Sequence, residues 1–179
     1  MIAQDAQGAE VARPWVEKAG GTFRSLLDQE NVVGKRYGLK YVPVGILMDE
    51  SGRLVKAVSS VNIGDEAFRA ELTQWVAEDR VPEVWQENGQ ALREMTPSEA
   101  EADARFQLAV VLLKSEKKEQ AIQELQAAML LDPENWLIRK QLWAIETPEA
   151  FYKGDVDYTW QAEQKDRETN LIESRGSSR

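Results

Sequence analysis

The chain has 179 residues, 22 basic against 31 acidic, and a formal net charge of −9. It contains no cysteine and no histidine, which excludes disulfides, thiolate nucleophiles, CxxC redox pairs, imidazole bases and the usual cysteine- and histidine-ligated metal sites. A hydrophobic content of 42% beside 30% charged residues suits a protein that buries a core, while the acidic balance argues against nucleic acid as a partner, since that binding runs on Lys and Arg contacts to phosphate.

In chain order, Met1 to Gln4 reads as the stub of a strand and Asp5-Ala6-Gln7-Gly8 as a turn. A helix follows over Ala9 to Ala19, with Val11, Trp15 and Val16 on its apolar face and Pro14 as its irregularity, since proline past the first turn kinks a helix. Gly20-Gly21 ends it. Thr22 to Asp28 reads as extended, and Asn31 to Tyr37 as a short helix that Gly38 closes. Tyr41 to Met48 and Leu54 to Val58 are apolar runs on either side of the turn Asp49-Glu50-Ser51-Gly52-Arg53, which predicts an antiparallel hairpin. Asp65 caps the next helix, whose face carries Phe68, Leu72, Trp75 and Val76.

Val81 to Glu94 is a connector with Pro82 and Gly89 as breakers and Trp85 as an anchor. Thr96-Pro97-Ser98-Glu99 has the form of a capping box with proline at the first helical position. That helix is expected to reach Glu116, with Phe106, Leu108, Ala109, Val111, Leu112 and Leu113 apolar. A second helix covers Lys118 to Leu131, a third runs from Asp132-Pro133 through Ile145, and Thr147-Pro148 opens a short turn. The polar tail from Gln161 reads as frayed. The expected organisation is therefore 1–80, a connector at 81–95, a helical part at 96–160 and a tail at 161–179.

The helix pair from Arg105 to Pro133 resembles one tetratricopeptide repeat: Leu108, Ala109 and Leu112 fit its first helix, Ala121, Leu125 and Ala128 its second, and Pro133 its closing proline. Residues 1–80 resemble the later part of a thioredoxin-like domain of the redoxin type, the peroxiredoxin-like and TlpA-like proteins. Gln4 through Gly8, Thr22-Phe23 through Asp28, Val33 through Gly38, and above all Tyr41-Val42-Pro43-Val44-Gly45-Ile46-Leu47-Met48-Asp49 with Gly52 carry this likeness. The Pro-Glu-Ala-Phe-Tyr and Asp-Tyr-Thr-Trp-Gln stretches add a similarity to the C-terminal region of some bacterial redoxin-domain proteins. The resemblance implies an α/β N-terminal half, an incomplete thioredoxin-like fold, followed by an all-α extension. It also implies a cis peptide at Val42–Pro43.

In that family the strand and helix bearing the CxxC motif come before the position of Met1, so the resemblance implies that the catalytic part is missing from this chain. The expectation is a non-catalytic scaffold or interaction module; the alternative is a fragment of a thiol-disulfide oxidoreductase or peroxidase-type protein whose redox cysteines lie in a missing N-terminal segment. Loss of a central strand would bare the edge along Val44, Ile46 and Met48, and an open apolar edge invites another chain. A homodimer is therefore expected, with those residues and the helical face of Trp136 and Trp143 at the interface. The helical extension offers a second surface for a protein partner.

No other constellation suggests chemistry. The acidic pairs Asp49/Glu50, Asp65/Glu66, Glu78/Asp79 and Glu99/Glu101 read as solvated surface, and Asp155-Val156-Asp157 lacks the full calcium-loop pattern. Neither GxxxxGK nor GxGxxG occurs. Catalytic residues, cofactors and metals are all expected to be absent. No run of about 18 apolar residues is present, and the N-terminus has no basic, apolar leader pattern, so the chain is expected to be cytoplasmic with no membrane partner.

Overall fold

The computed structural model describes residues 1–86, 94–153 and 157–176. Its elements in chain order are β1 (Ile2–Ala3), α1 (Ala9–Lys18), β2 (Leu26–Leu27), α2 (Val32–Tyr37), α3 (Glu66–Glu78), α4 (Glu83–Gln86), α5 (Pro97–Lys114), α6 (Lys118–Leu131), α7 (Trp136–Glu146), α8 (Glu149–Tyr152) and α9 (Tyr158–Gly176).

The core lies in the helical layer of α5, α6 and α7. Thr96 caps α5 as the sequence predicts: its hydroxyl accepts from the Glu99 amide at 3.3 Å, and the Glu99 carboxylate accepts from the Thr96 amide at 2.8 Å. The short connection after Lys114 returns α6 antiparallel to α5. Ser98 donates to the Leu131 carbonyl, and Arg105 reaches Glu124. Ala109, Ala121, Leu125 and Ala128 are fully buried along this contact, and the three alanines let the two axes approach. Leu108 and Val111, placed on the apolar side from sequence, face solvent instead. The third helix begins later than Asp132-Pro133 suggests, because Asn135 is its cap and accepts from the Leu137 and Ile138 amides.

The N-terminal region departs from the expected α/β half. Helix accounts for 58% of the structure and strand for 5%, and among the described residues the only sheet is the two-stranded parallel pair β1–β2, with Ile2 opposite Leu26 and Ala3 opposite Leu27. The molecule is mainly α. The predicted hairpin folds back, but only two isolated antiparallel bridges form, Met48 with Leu54 and Gly45 with Ser59. Between them one side advances three residues and the other five, so two extra residues interrupt the ladder, and a bulge of that kind ends regular pairing. Val42–Pro43 is cis, as the resemblance implied. The turn is fixed by Asp49, whose carboxylate accepts from Ser51 and from the Arg53 amide, while Gly52 takes φ 80°.

Local signals elsewhere hold. Gly38 closes α2 in the left-handed region, and the Asp65 carboxylate accepts from the Ala67 and Phe68 amides to start α3. Trp85 is 1% exposed, ringed by Phe68 and Trp75, with its indole N–H donating to Glu71. Val76, grouped with that face from sequence, is 79% exposed. Gly89 lies outside the described residues.

The expected frayed tail is instead the helix α9. Arg139 on α7 donates to Glu168 at 2.7 Å, and the Trp143 indole N–H donates to the other oxygen of the same carboxylate. Trp136, Trp143, Trp160 and Phe151 form a run of edge-to-face rings beside this pair. Among the described residues no helix is long and apolar enough to cross a membrane.

Candidate functional site

The feature with the most directed chemistry is the seam where residues 4–7 lie on the helical layer. The chain enters this seam from β1, which fixes Met1 and Ala3 through amides of Leu26 and Asp28. Beyond β1 the next residues have no strand to pair with. The Gln141 side chain on α7 takes that place: its amide nitrogen donates to the Gln4 carbonyl at 3.2 Å, and its oxygen accepts the Ala6 amide at 2.8 Å. A parallel strand satisfies the same two groups, one carbonyl and the amide two residues on. Gln29 completes the backbone pairing by donating to the Ala6 carbonyl at 3.0 Å.

Side chains fix the register. The Ala6 methyl is 2% exposed and belongs to the core formed by Ala102, Phe106, Ile138 and Leu142. The Asp5 carboxylate accepts from the Gln7 amide on one oxygen and from the Tyr152 hydroxyl of α8 on the other, at 2.9 and 2.8 Å. Gln7 donates in turn to the Tyr152 oxygen at 2.9 Å and to the Ala144 carbonyl. Burial raises the Asp5 pKa above its ordinary value, and its two hydrogen bonds only partly oppose that. Tyr152 is raised as well, first by burial and then by the Asp5 charge. Gly8 ends the segment at φ 101°, in the region open to glycine.

One cavity borders the seam, and a second adjoins the first at Asn31, Tyr41 and Phe106. The smaller, about 290 Å³, runs beside residues 4–6 and is walled by Tyr41, Val42, Phe106, Trp136, Leu137 and Lys140. The larger, about 590 Å³, lies between α2, the Tyr41–Val58 hairpin and the α5–α7 layer. Lys40 bridges its wall, donating to both oxygens of Asp132 at 2.7 Å and also to Glu99, while Asn135 donates to Asp132. These bonds fasten the N-terminal region to the helices. They leave the lysine engaged rather than poised for chemistry.

The residues singled out from sequence are dispersed around this seam. Val42 and Trp136 line the smaller cavity and Val44 the larger. Ile46 is half-buried and Met48 is 38% exposed. Trp143 is 2% exposed inside the chain's own core, so it is not available to an interface as expected. Asp155 lies outside the described residues, and the Asp157 carboxylate accepts from the Trp160 amide near the start of α9. Among the described residues no group of three or more acidic side chains is placed to hold a metal. Sequence reasoning missed Asp5, Gln7, Gln141 and Tyr152. Their partners lie 135 or more residues away in the chain, which neither the turn pattern of Asp5-Ala6-Gln7-Gly8 nor any local pattern around Gln141 and Tyr152 reports.

No family model, curated protein or solved structure matches this chain.

Proposed function

We propose that this chain is a non-catalytic protein-interaction module that works as a homodimer. The supporting observation is the apolar surface left on residues 1–63: Ile2, Phe23, Leu26, Val32 and Ile63 are 45–63% exposed, beside a strand pair of only two residues each. A pair that short is not independently stable, and bare strand edges offer their backbone groups to another chain. A twofold contact uses the same patch on both copies and closes without propagating. Val44, Ile46 and Met48 on the interrupted hairpin are the residues assigned to that contact, with Trp136 at its margin. A chain without cysteine or histidine brings no thiolate or imidazole to such a surface.

Light scattering at micromolar concentration tests the dimer. The expected mass is twice the 20.3 kDa of one chain, falling to one chain in Leu26→Asp or Val44→Asp. A wild-type particle of 20.3 kDa with a cooperative melt would overturn the reading. The purified chain is also expected to leave insulin disulfides unreduced and peroxide unconsumed. Turnover above a buffer control would refute its non-catalytic part.

A further inference from the structure

We propose that the face built by Gln141, Tyr152 and the Ala6 site recognises a polypeptide segment that leaves a strand in a turn, and that residues 4–7 occupy it as an internal ligand that a partner peptide can displace. The argument is independent of the dimer proposed above and rests on how the segment is held. Gln141 binds a backbone carbonyl and the amide two residues later, so it recognises main chain whatever its side chains, at the point where the segment enters a turn closed by the Gly8 amide on the Asp5 carbonyl. Selectivity comes from the two positions between and after those groups. Asp5 places a short carboxyl side chain against the Tyr152 hydroxyl, and Ala6 is 2% exposed as a member of the buried core that includes Ala102, Phe106, Ile138 and Leu142. The site therefore fits a short side chain with an acceptor oxygen, Asp or Asn, followed by a residue no larger than alanine.

The segment is also built to leave. α1, which follows it directly, has no buried residue. Phe23 and Leu26, on the return path, are both 56% exposed, so the excursion from Ala9 to Leu26 moves without opening the helical core. The cavity of about 290 Å³ runs along residues 4–6 and keeps one flank of the segment free of packing. The partner is a segment of another protein that adds to β2 as a strand and carries the Asp/Asn-small pair into the seam. Main-chain bonds would then supply affinity and the two side-chain positions specificity.

A fluorescent synthetic peptide with the sequence of residues 1–8 is the probe, titrated into three full-length chains. Wild type is expected to bind weakly, because its own segment holds the site and only the open fraction is competent. Asp5→Ala removes the Tyr152 anchor from the internal segment and leaves the site intact, so binding should tighten by roughly tenfold as that fraction rises. Ala6→Arg, which cannot enter that core, should tighten it further. Adding Gln141→Ala to either variant should abolish the gain, and a probe carrying Ala6→Arg should not bind. Equal affinity for all three chains, with helical circular dichroism retained in Asp5→Ala, would overturn the proposal. So would equal binding of the Ala6→Arg probe. If instead Ala6→Arg converts a wild-type dimer to monomers, the segment is exchanged between copies of this chain, and the separate-partner proposal fails while the dimer stands.

Discussion

Asp5 shows how one buried group couples charge to folding. Its carboxylate has a hydroxyl and a backbone amide as donors but no cation among its hydrogen-bond partners, and burial raises its pKa. A carboxyl raised in the folded state binds its proton more tightly folded than unfolded. The contribution is therefore favourable at low pH and is lost as pH rises through the folded value. Asp5→Asn removes that titration. The melting temperature of Asp5→Asn relative to wild type is expected to increase as pH rises from about 4 to about 7. Glu30 and Asp49 are held below the ordinary range, the first by its hydrogen bond from Lys114 and the second chiefly by Ser51. Their opposite slope is common to both chains and cancels in the difference. Parallel pH curves for the two proteins would refute this account. None of this was readable beforehand. Asp5-Ala6-Gln7-Gly8 announces a turn, and the turn is there, with the Gly8 amide donating to the Asp5 carbonyl, but the groups that bury Asp5 belong to α7 and α8.

At the scale of elements, what was legible depended on whether the deciding interactions are local. α5 carries its own cap and both α5 and α6 carry their apolar spacing, so they fall close to where the sequence puts them. The stretch Tyr41–Val58 has the composition of strands, yet two extra residues on one side break its ladder. No local preference reports that. α9 is the converse case: polar composition reads as a tail, whereas Glu168 is fixed by Arg139 and Trp143 on another helix. Arg139 and Glu168 expose only 6% and 13% of their side chains. Removing one member of such a pair strands the other charge, which costs about 3–5 kcal/mol. Glu168→Ala is thus expected to destabilise the chain by that order in urea unfolding and to speed amide exchange over 158–169. A loss below about 1 kcal/mol, the range of exposed pairs, would show that α9 is held by its rings alone.

For the whole molecule, burial is lopsided. Outside the helices from Ala102 to Ile145, the buried apolar residues among those described are Ala6, Leu39, Val55 and Trp85. A change from mixed to purely helical patterning at about residue 80 is visible in the sequence. The weak packing of the first part is not, because apolar runs such as Tyr41–Met48 look the same whether they are covered or bare. Hydrophobic burial is the main favourable term in folding, so the two parts should differ in the free energy at which they open. Amides of α5, α6 and α7 are expected to exchange only through global unfolding. Those of the hairpin at Gly45, Asp49 and Val55 should exchange through local opening. If the hairpin surface is covered by a second copy, mass action adds a term that scales with protein concentration. Hydrogen exchange measured across a hundredfold dilution should then quicken over residues 44–59 as dimers separate, while exchange in α5 and α6 stays constant. Exchange over 44–59 that ignores concentration, in a sample whose mass does change, would move the contact away from Val44, Ile46 and Met48 to the β1–β2 edge. The same result at constant single-chain mass would remove the dimer altogether.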